Sequence, residues 1–172
     1  MLPVEATAGN GHEPVCLATC GGPQGRVVAI DLQSEAIQRT RDRIDESGFQ
    51  NVLYFESSHI NLPSIVAEED HRSVGAVMFN LGYLPSGDKS VITQTSTTIL
   101  AIQAALNIIR PGGIVSVLAY PGHSGGDAEA SAVVKFAGSL YSEKYRVTVT
   151  QANNAAHSPV LVQVVELGAE IT

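Results

Sequence analysis

A glycine turn and an aspartate near the start of the chain have the spacing of an adenosine-binding site. The turn, with Gly9 and Gly11, follows a short apolar strand that begins near Val4. Asp31 comes twenty residues after Gly11, at the end of the next apolar run, residues 26–30. Such a turn lets a ligand approach the backbone, and a carboxylate ending the second strand accepts hydrogen bonds from ribose hydroxyls. We therefore predict a cofactor with an adenosine moiety.

The cofactor class is predicted from a departure from the dinucleotide-binding fingerprint. The third glycine of that fingerprint is replaced by Pro14. Together with a β-hairpin predicted at the end of the chain, this departure favours S-adenosylmethionine (SAM) over a nicotinamide cofactor. Ser58 and His59 follow the third predicted strand and are candidates for contacting the adenine edge. The alternatives are a turn cap for Ser58 and, for the glycines alone, a tight turn without a ligand.

Candidate catalytic residues follow the fourth and fifth predicted strands. Asn80 can hold the N–H of an amine nucleophile, which must present its lone pair in line with the methyl carbon, and Tyr83 can stack on a planar base. Asp88 and His123 are candidates for removing the proton that an alkylammonium must lose before it attacks. Lys89 is a candidate phosphate contact. The alternatives are a capping role for Asn80, a half-buried core position for Tyr83 and exposed loop positions for the others.

The pattern of apolar runs predicts the elements that position these residues. Strands are predicted near Val4 and at residues 26–31, 52–55, 74–79, 114–119, 146–150 and 160–166, and helices at 13–19, 34–47, 63–69, 95–109 and 127–141. Five β-α repeats followed by a helix-free hairpin predict an α/β fold: a seven-stranded, mostly parallel, doubly wound sheet with an antiparallel C-terminal hairpin. In such sheets ligands bind beyond the carboxyl ends of the strands, where the polar segments fall.

Three local features of the helices are also predicted. Ser34 is expected to cap the second helix. The basic residues Arg39, Arg41 and Arg43 alternate with acids there, which is typical of a solvated face more than of an RNA-binding patch. The fourth helix is expected to bury an apolar stripe that ends at Ile109, before a Pro-Gly-Gly turn into the fifth strand.

Composition restricts the class of protein. A chain of 172 residues fits one domain, predicted to span 1–172, and a composition with 44% hydrophobic and 16% charged residues is typical of a globular protein. The net charge of −7, from 10 basic and 17 acidic residues, argues against a protein held to nucleic acid by a broad basic face. An enzyme that grips one RNA loop through a local patch remains compatible with this charge.

The cysteines and the termini indicate the compartment. Cys16 and Cys20 lie four apart on the first predicted helix, and no histidine pair completes a metal site with them, so we predict buried, reduced thiols and no metal. No run approaches the roughly 18 apolar residues of a membrane helix, and no signal peptide is visible, so we expect a soluble protein. Because the chain begins almost at its first strand, we expect either a minimal domain or a missing N-terminal segment.

Four motifs resemble those of a known family. They are ATAGNGH at 6–12, AIDLQ at 29–33, NLGYLPSGDK at 80–89 and YPGHSGG at 120–126. The chain resembles the small class I methyltransferases long labelled rRNA methylases (the MnmM, or YtqB-like, family) over almost its whole length. It departs from them at Glu5, where the family commonly carries aspartate, at Pro14, and in lacking the family's segment before the first strand.

The resemblance implies a Rossmann-like class I methyltransferase fold with SAM as cofactor. Carried onto this sequence, the cofactor-binding positions are Thr7, Ala8, Gly9, Asn10, Gly11, Asp31, Leu32, Gln33, Ser58, His59 and Asn80. For characterised members the resemblance implies methylation of the 5-aminomethyl group on the wobble uridine of tRNA, giving 5-methylaminomethyl-(2-thio)uridine. The catalytic candidates remain Asn80, Tyr83, Asp88 and His123.

The predicted function is therefore that of a SAM-dependent N-methyltransferase acting on the anticodon loop of tRNA. The alternative enzymes are methyltransferases for an rRNA base or a small-molecule amine, and the alternative of another class is a non-catalytic SAM-binding domain. We expect a cytoplasmic protein, or a plastid or mitochondrial one in a plant, without a membrane or metal partner. A homodimer is left open.

Overall fold

The strands and helices alternate along the chain as predicted. The computed structural model describes residues 2–22, 25–88, 90–151, 153 and 157–168. The strands are β1 (Leu2–Glu5), β2 (Val27–Asp31), β3 (Val52–Glu56), β4 (Val74–Asn80), β5 (Ile109–Ala119), β6 (Tyr145–Gln151) and β7 (Val160–Glu166). The helices are α1 (His12–Gly21), α2 (Ser34–Glu46), α3 (Leu62–Ile65), α4 (Thr95–Ile108) and α5 (Gly126–Gly138), with 3-10 turns at His59–Asn61 and Glu68–Asp70.

The described strands form one sheet in the order β3-β2-β1-β4-β5-β7-β6. Strands β1 to β5 pair in parallel, while β7 pairs antiparallel to both β5 and β6. The strand order reverses at β1, which lies between β2 and β4, and this is the switch point where ligands bind in doubly wound sheets. The predicted fold class is confirmed, including the C-terminal hairpin. Its second strand, β7, lies between β5 and the first strand of the hairpin, β6, which is at the edge of the sheet.

Helices cover both faces of the sheet. Leu106 of α4 and Val133 of α5 belong to the larger apolar cluster on one face, and Leu17 of α1 and Ile44 of α2 belong to the cluster on the other. All four residues of β1 are buried, because this strand has neighbours on both edges and helices on both faces. The glycine turn after β1 therefore starts from the most buried strand of the sheet. Among the described residues, no helix has the length and apolarity needed to cross a bilayer.

The boundary between α4 and β5 differs from the prediction. Helix α4 ends at Ile108, and Ile109 begins β5 by pairing with Val74 of β4. The predicted Pro-Gly-Gly turn lies inside this strand, at an irregularity in its register with β4. Ile109 is buried as the apolar stripe predicts, but pairing with the sheet overrides the helical spacing. The predicted helix over residues 63–69 is also shorter, since α3 is followed by a separate 3-10 turn.

Two predictions about side chains on the helices are wrong. Ser34 is the first residue of α2, while Gln33 occupies the N-cap without a side-chain cap bond. Cys16 and Cys20 are free thiols, as predicted, but both are exposed, because α1 packs through Pro14 and Leu17 on its other side. Lys89, the predicted phosphate contact, lies outside the described residues.

Candidate functional site

A cavity of about 660 Å³ opens beyond the carboxyl ends of the central strands. This volume falls within the roughly 300–1,000 Å³ of small-molecule sites. The cavity is lined by residues that follow β1 (Ala6, Thr7, Gly9, Asn10, His12, Glu13), β2 (Asp31, Leu32, Gln33), β3 (Ser58, His59), β4 (Asn80–Pro85, Val91–Gln94, Thr97) and β5 (Tyr120–His123). The strand order thus brings together nearly all of the predicted site residues, although they come from five separate parts of the sequence.

Asp31 holds the glycine turn against the end of β2. The Gly9 N–H donates to Asp31 Oδ2 at 3.0 Å, and the Gln33 N–H donates to Oδ1 at 2.9 Å. Gly9 has a φ of 54°, a left-handed conformation that favours glycine. Burial raises the pKa of Asp31, and the backbone hydrogen bonds oppose that shift. Each carboxylate oxygen keeps a further lone pair toward the cavity, which fits the predicted contact with a ribose.

Two predicted cofactor-binding positions lie behind the cavity wall. Ala8 is completely buried. Gly11 starts α1 with a φ of 81°, and a Cβ at this position would lie 2.8 Å from the Cα of Thr40 on α2. The second glycine therefore lets α1 pack closely on α2 and is not in contact with the cavity. Thr7, Gly9 and Asn10 do line it.

The predicted solvated face of α2 is wrong for two of its three arginines. Arg43 Nε donates to the backbone oxygen of Asn10 at 2.8 Å. Arg39 Nη1 donates to Asn10 Oδ1 at 2.9 Å and to the backbone oxygen of Pro85 at 3.0 Å. The guanidinium carbon of Arg41 instead lies 4.2 Å from the ring centroid of Tyr54. Arg39 therefore connects the glycine turn to the segment that follows β4.

Asn80 is held from two sides at the end of β4. Its backbone N–H donates to Thr7 Oγ1 at 2.6 Å, and its side-chain Nδ2 donates to Glu13 Oε1 at 3.3 Å. A carboxylate can only accept, so it is the amide nitrogen of Asn80 that faces Glu13. The amide oxygen is then left as the acceptor of this side chain. The orientation of Asn80 is thus set by residues that follow the neighbouring strand β1.

A fully buried carboxyl group lies beneath this part of the site. Glu5 Oε1 accepts from the backbone N–H of Thr7 at 3.1 Å and from its hydroxyl at 3.0 Å, while Oε2 has no partner among the described residues. Burial raises the pKa of Glu5 well above its ordinary value, and the negative charge of Glu13 adds to this effect. The raised pKa favours the neutral, protonated form of Glu5 beneath the carboxylates of Glu13 and Asp31.

His59 and Ser58 line the cavity opposite the glycine turn. Ser58 caps the following 3-10 turn, since its side chain accepts from the Ile60 N–H. Its predicted capping role is therefore confirmed, and it also reaches the cavity. The His59 ring packs edge-on against Phe79, and its Nε2 is buried without a partner among the described residues. Burial lowers the pKa of His59, so the neutral ring is favoured.

Tyr83 and His123 lie next to each other at the cavity, on the segments that follow β4 and β5. Their ring centroids are 5.9 Å apart in an edge-on arrangement, and Tyr83 is 41% exposed. His123 Nδ1 lies 3.1 Å from the backbone oxygen of Ser124 and must donate to it, because a carbonyl only accepts. The lone pair of a neutral ring is then on Nε2, which is buried beside Gly82 and Gly126.

The structure does not bring Asp88 to the cavity. The turn with a bond from the Gly87 N–H to the Leu84 oxygen carries Asp88 to the surface. Its Oδ1 accepts from the side chain and the backbone N–H of Ser90, at 2.7 and 2.9 Å, and these bonds lower the pKa of Asp88. Asp88 therefore stabilises a surface turn and is no longer a candidate for removing the amine proton.

Sequence reasoning missed several residues that organise the site. Glu13 opens α1 in the expected place, but nothing in the sequence relates it to Asn80. The hydroxyl of Thr93, a residue that lines the cavity, donates to the buried Glu129 at 2.7 Å. A signal for Glu129 existed: it falls on the buried stripe of α5 with Ala130 and Val133, where an acid is unexpected. Among the described residues, no group of three or more potential metal ligands comes together.

The sheet order, the glycine turn after β1 and the acid ending β2 define a class I methyltransferase fold. A solved structure described as "putative rRNA-methylase" from Clostridium thermocellum is 36% identical, with a TM-score of 0.90, and the match covers 96% of this chain and 88% of that one. A "putative methyltransferase" from Streptococcus mutans, solved in complex with S-adenosylhomocysteine (SAH), is 33% identical, with a TM-score of 0.85 and coverage of 96% and 88%.

The sequence comparisons identify the family. Residues 27–166 match the family described as "Putative rRNA methylase". The curated "tRNA (mnm(5)s(2)U34)-methyltransferase, chloroplastic" of Arabidopsis thaliana is 36% identical over 171 residues, which cover 92% of this chain. The chain belongs to the rRNA methylase family, and the predicted family is confirmed. The chain spans 61% of the length of the Arabidopsis relative.

Proposed function

We propose that this chain is a SAM-dependent N-methyltransferase that methylates the 5-aminomethyl group on the wobble uridine of tRNA. The observation that carries the proposal is the oriented amide of Asn80 at the switch point of the sheet, next to a cavity with an adenosine-type site. The name of the Arabidopsis relative describes this tRNA activity, and the Streptococcus mutans relative binds SAH.

The residues around the glycine turn fit SAM. Asp31 would accept hydrogen bonds from the ribose hydroxyls, and the apolar Leu32, which is 60% exposed, would lie against the adenine. Ser58 and His59 would contact the adenine edge. The charges of Glu13 and Asp31 favour the cationic cofactor over SAH, which lacks the sulfonium charge. When bound, SAM supplies an electrophilic methyl group.

Asn80 would orient the acceptor amine. Because its Nδ2 is held by Glu13, its amide oxygen is available to accept an N–H from the substrate amine. Through this contact the amine donates an N–H to Asn80 and keeps its nitrogen lone pair free to attack the methyl carbon. The substrate ammonium would first lose one proton, and the free amine would then form the N–C bond while the C–S bond breaks and its electron pair goes to sulfur, which leaves a methylammonium product.

The aromatic side of the cavity suits a planar base. Tyr83 offers an exposed ring on which the uridine would stack, and stacking of this kind contributes about 1–3 kcal/mol per base. His123 is the candidate that remains for accepting the amine proton, since its Nε2 carries the lone pair. Its ring would have to rotate to expose that nitrogen, because Gly82 and Gly126 cover it.

Nucleoside mass spectrometry tests the proposal directly. The purified protein is incubated with SAM and with tRNA whose wobble uridine carries the 5-aminomethyl group, and we expect that nucleoside to gain one methyl group. Asn80→Ala should lower kcat about 100-fold, as expected for a misplaced nucleophile, while the Kd for SAH stays within about threefold. Asn107→Ala, on the exposed side of α4, is the matched control and should retain wild-type activity.

The outcomes separate the alternatives. Retained activity in Asn80→Ala would contradict the role of its amide. SAH binding without methyl gain on this tRNA would refute the proposed acceptor and direct the search to rRNA or small amines. A folded protein that binds neither SAM nor SAH would refute the enzyme assignment. The anticodon loop is the proposed partner, and a cytoplasmic or plastid location and a homodimer remain predictions.

A further inference from the structure

Glu129 is a buried carboxylate that does not line the cavity. It lies on α5 and is 3% exposed. Its Oε2 accepts from the hydroxyl of Thr93 and its Oε1 from the hydroxyl of Thr98, both at 2.7 Å. Within the described part of the chain, no lysine or arginine forms an ion pair with it. A buried charge is tolerated only when it is hydrogen-bonded, and the two threonine hydroxyls supply one bond to each carboxylate oxygen.

Thr93 connects Glu129 to the segment that follows β4. The Gly82 N–H donates to Thr93 Oγ1 at 2.9 Å, and the Thr93 N–H donates back to the Gly82 oxygen at 2.9 Å. Because the Glu129 carboxylate can only accept, the hydroxyl hydrogen of Thr93 must point toward it. The lone pairs of the same oxygen are then directed at Gly82. One negative charge therefore orders a chain of two hydrogen bonds.

Gly82 lies between the two residues proposed to orient the substrate. Asn80 ends β4 two residues before it, and Tyr83 follows it and pairs with Ile92. Gly82 has a φ of 129°, in the region that favours glycine. Both its N–H and its carbonyl oxygen are hydrogen-bonded to Thr93. Asn80 is held separately by its bonds to Thr7 and Glu13. A shift of Gly82 would therefore move mainly the adjacent Tyr83 ring.

We propose that Glu129 is a positioning residue for methyl transfer, acting through Thr93 to fix Gly82 and thereby the placement of Tyr83. The inference rests on the proposed function for its effect on catalysis. The ordering of Gly82 itself does not depend on which acceptor is methylated. Glu129 does not line the cavity, so we expect it to act on turnover and to leave cofactor binding to Asp31 and the glycine turn.

The first test compares steady-state kinetics, SAH affinity and thermal stability in four variants. Glu129→Gln removes the charge, and its amide hydrogens can face a threonine hydroxyl; Thr93→Val removes the hydroxyl itself. Both should lower kcat about tenfold while the Kd for SAH changes by less than about threefold. Thr93→Ser keeps the hydroxyl and should stay close to wild-type kcat. Thr98→Val removes only the hydrogen bond between Thr98 of α4 and Glu129. It should lower the Tm about as much as Thr93→Val does, but kcat by no more than about threefold.

The second test needs no activity. Hydrogen exchange of the Gly82 amide should be at least tenfold faster in Thr93→Val and Glu129→Gln than in Thr98→Val, with exchange at Gly9 unchanged. Equal exchange at Gly82 in all variants, or kcat losses that follow the Tm alone, would overturn the proposal. If Glu129→Gln does not fold, the Val and Ser variants of Thr93 decide. If wild type methylates no tRNA, the proposed function fails, while the exchange data still decide the role of Glu129.

Discussion

The two sides of the cavity are held in different ways. On the cofactor side, the glycine turn leaves the buried strand β1 and is held by backbone bonds to Asp31 and by Arg43. On the proposed acceptor side, Tyr83 and Tyr120 are 41% and 38% exposed, and the segment that carries Tyr83 is hydrogen-bonded to Thr93 through Gly82. The proposed cofactor site is therefore anchored to the sheet, whereas the Tyr83 part of the proposed acceptor site lies on a loop that Glu129 of α5 holds through Thr93. Variants on the first side should change cofactor affinity, and variants on the second should change turnover.

The largest expected effect comes from removing Asp31. Asp31→Ala deletes the acceptor for two backbone N–H groups and for the ribose, each a hydrogen bond to a charged group worth about 1.5–3 kcal/mol. We expect SAH affinity to fall at least about 100-fold, measured by isothermal titration calorimetry. Asp42→Ala on the exposed face of α2 is the control. An SAH affinity for Asp31→Ala within threefold of wild type would contradict the division between the two sides.

A smaller effect is expected from Arg39, a side chain that connects both sides. Arg39→Ala removes its bonds to the Asn10 side chain and to the oxygen of Pro85. Because these bonds are partly exposed, we expect the Kd for SAH and the KM for tRNA each to rise about three- to fivefold. Arg41→Ala, which removes only the stacking on Tyr54, should change neither. An effect confined to one constant would show that Arg39 serves one side alone.

The fold could be predicted because its signals are local and repeated. Five β-α units and a helix-free hairpin specify a doubly wound sheet even where the element bounds are uncertain. The error at Ile109 shows the limit: its spacing fits the apolar stripe of α4, but pairing with Val74 places it in β5. The spacing of residues along one helix does not show that its last residue will pair with a strand from another part of the sequence.

The candidate site could be predicted only in part, for the same reason. Gly9 follows β1, and Asp31 and Asn80 end β2 and β4, so their positions in the sequence predict that they lie at the cavity, where the structure places them. Gly11 has the right spacing for a ligand, yet its small size serves the packing of α1 on Thr40. Glu13 acts through a contact between residues 67 apart in sequence. Contacts of this kind depend on the packed arrangement of the helices, which spacing does not specify.

The smallest expected effect concerns the stability of the cofactor side. Burial raises the pKa of Glu5 in the folded state well above its ordinary value of 4.5, so between these two values the folded protein binds a proton that the unfolded chain has lost. Wild-type stability should therefore fall as pH rises through this window. Glu5→Gln keeps the acceptor for Thr7 and cannot ionise, so it should show a flatter dependence.

Thermal unfolding from pH 4 to 8 measures this difference. The Tm of Glu5→Gln should match wild type at low pH and exceed it increasingly as pH rises, by about 2–4 °C for each 1 kcal/mol in a chain of this size. Glu46→Gln on the exposed end of α2 should follow the wild-type curve. Parallel curves for wild type and Glu5→Gln would show that Glu5 is ionised in the folded protein. In that case the buried carboxylate would add its charge to those of Glu13 and Asp31, and Glu5→Gln should instead weaken the binding of the cationic cofactor more than that of SAH.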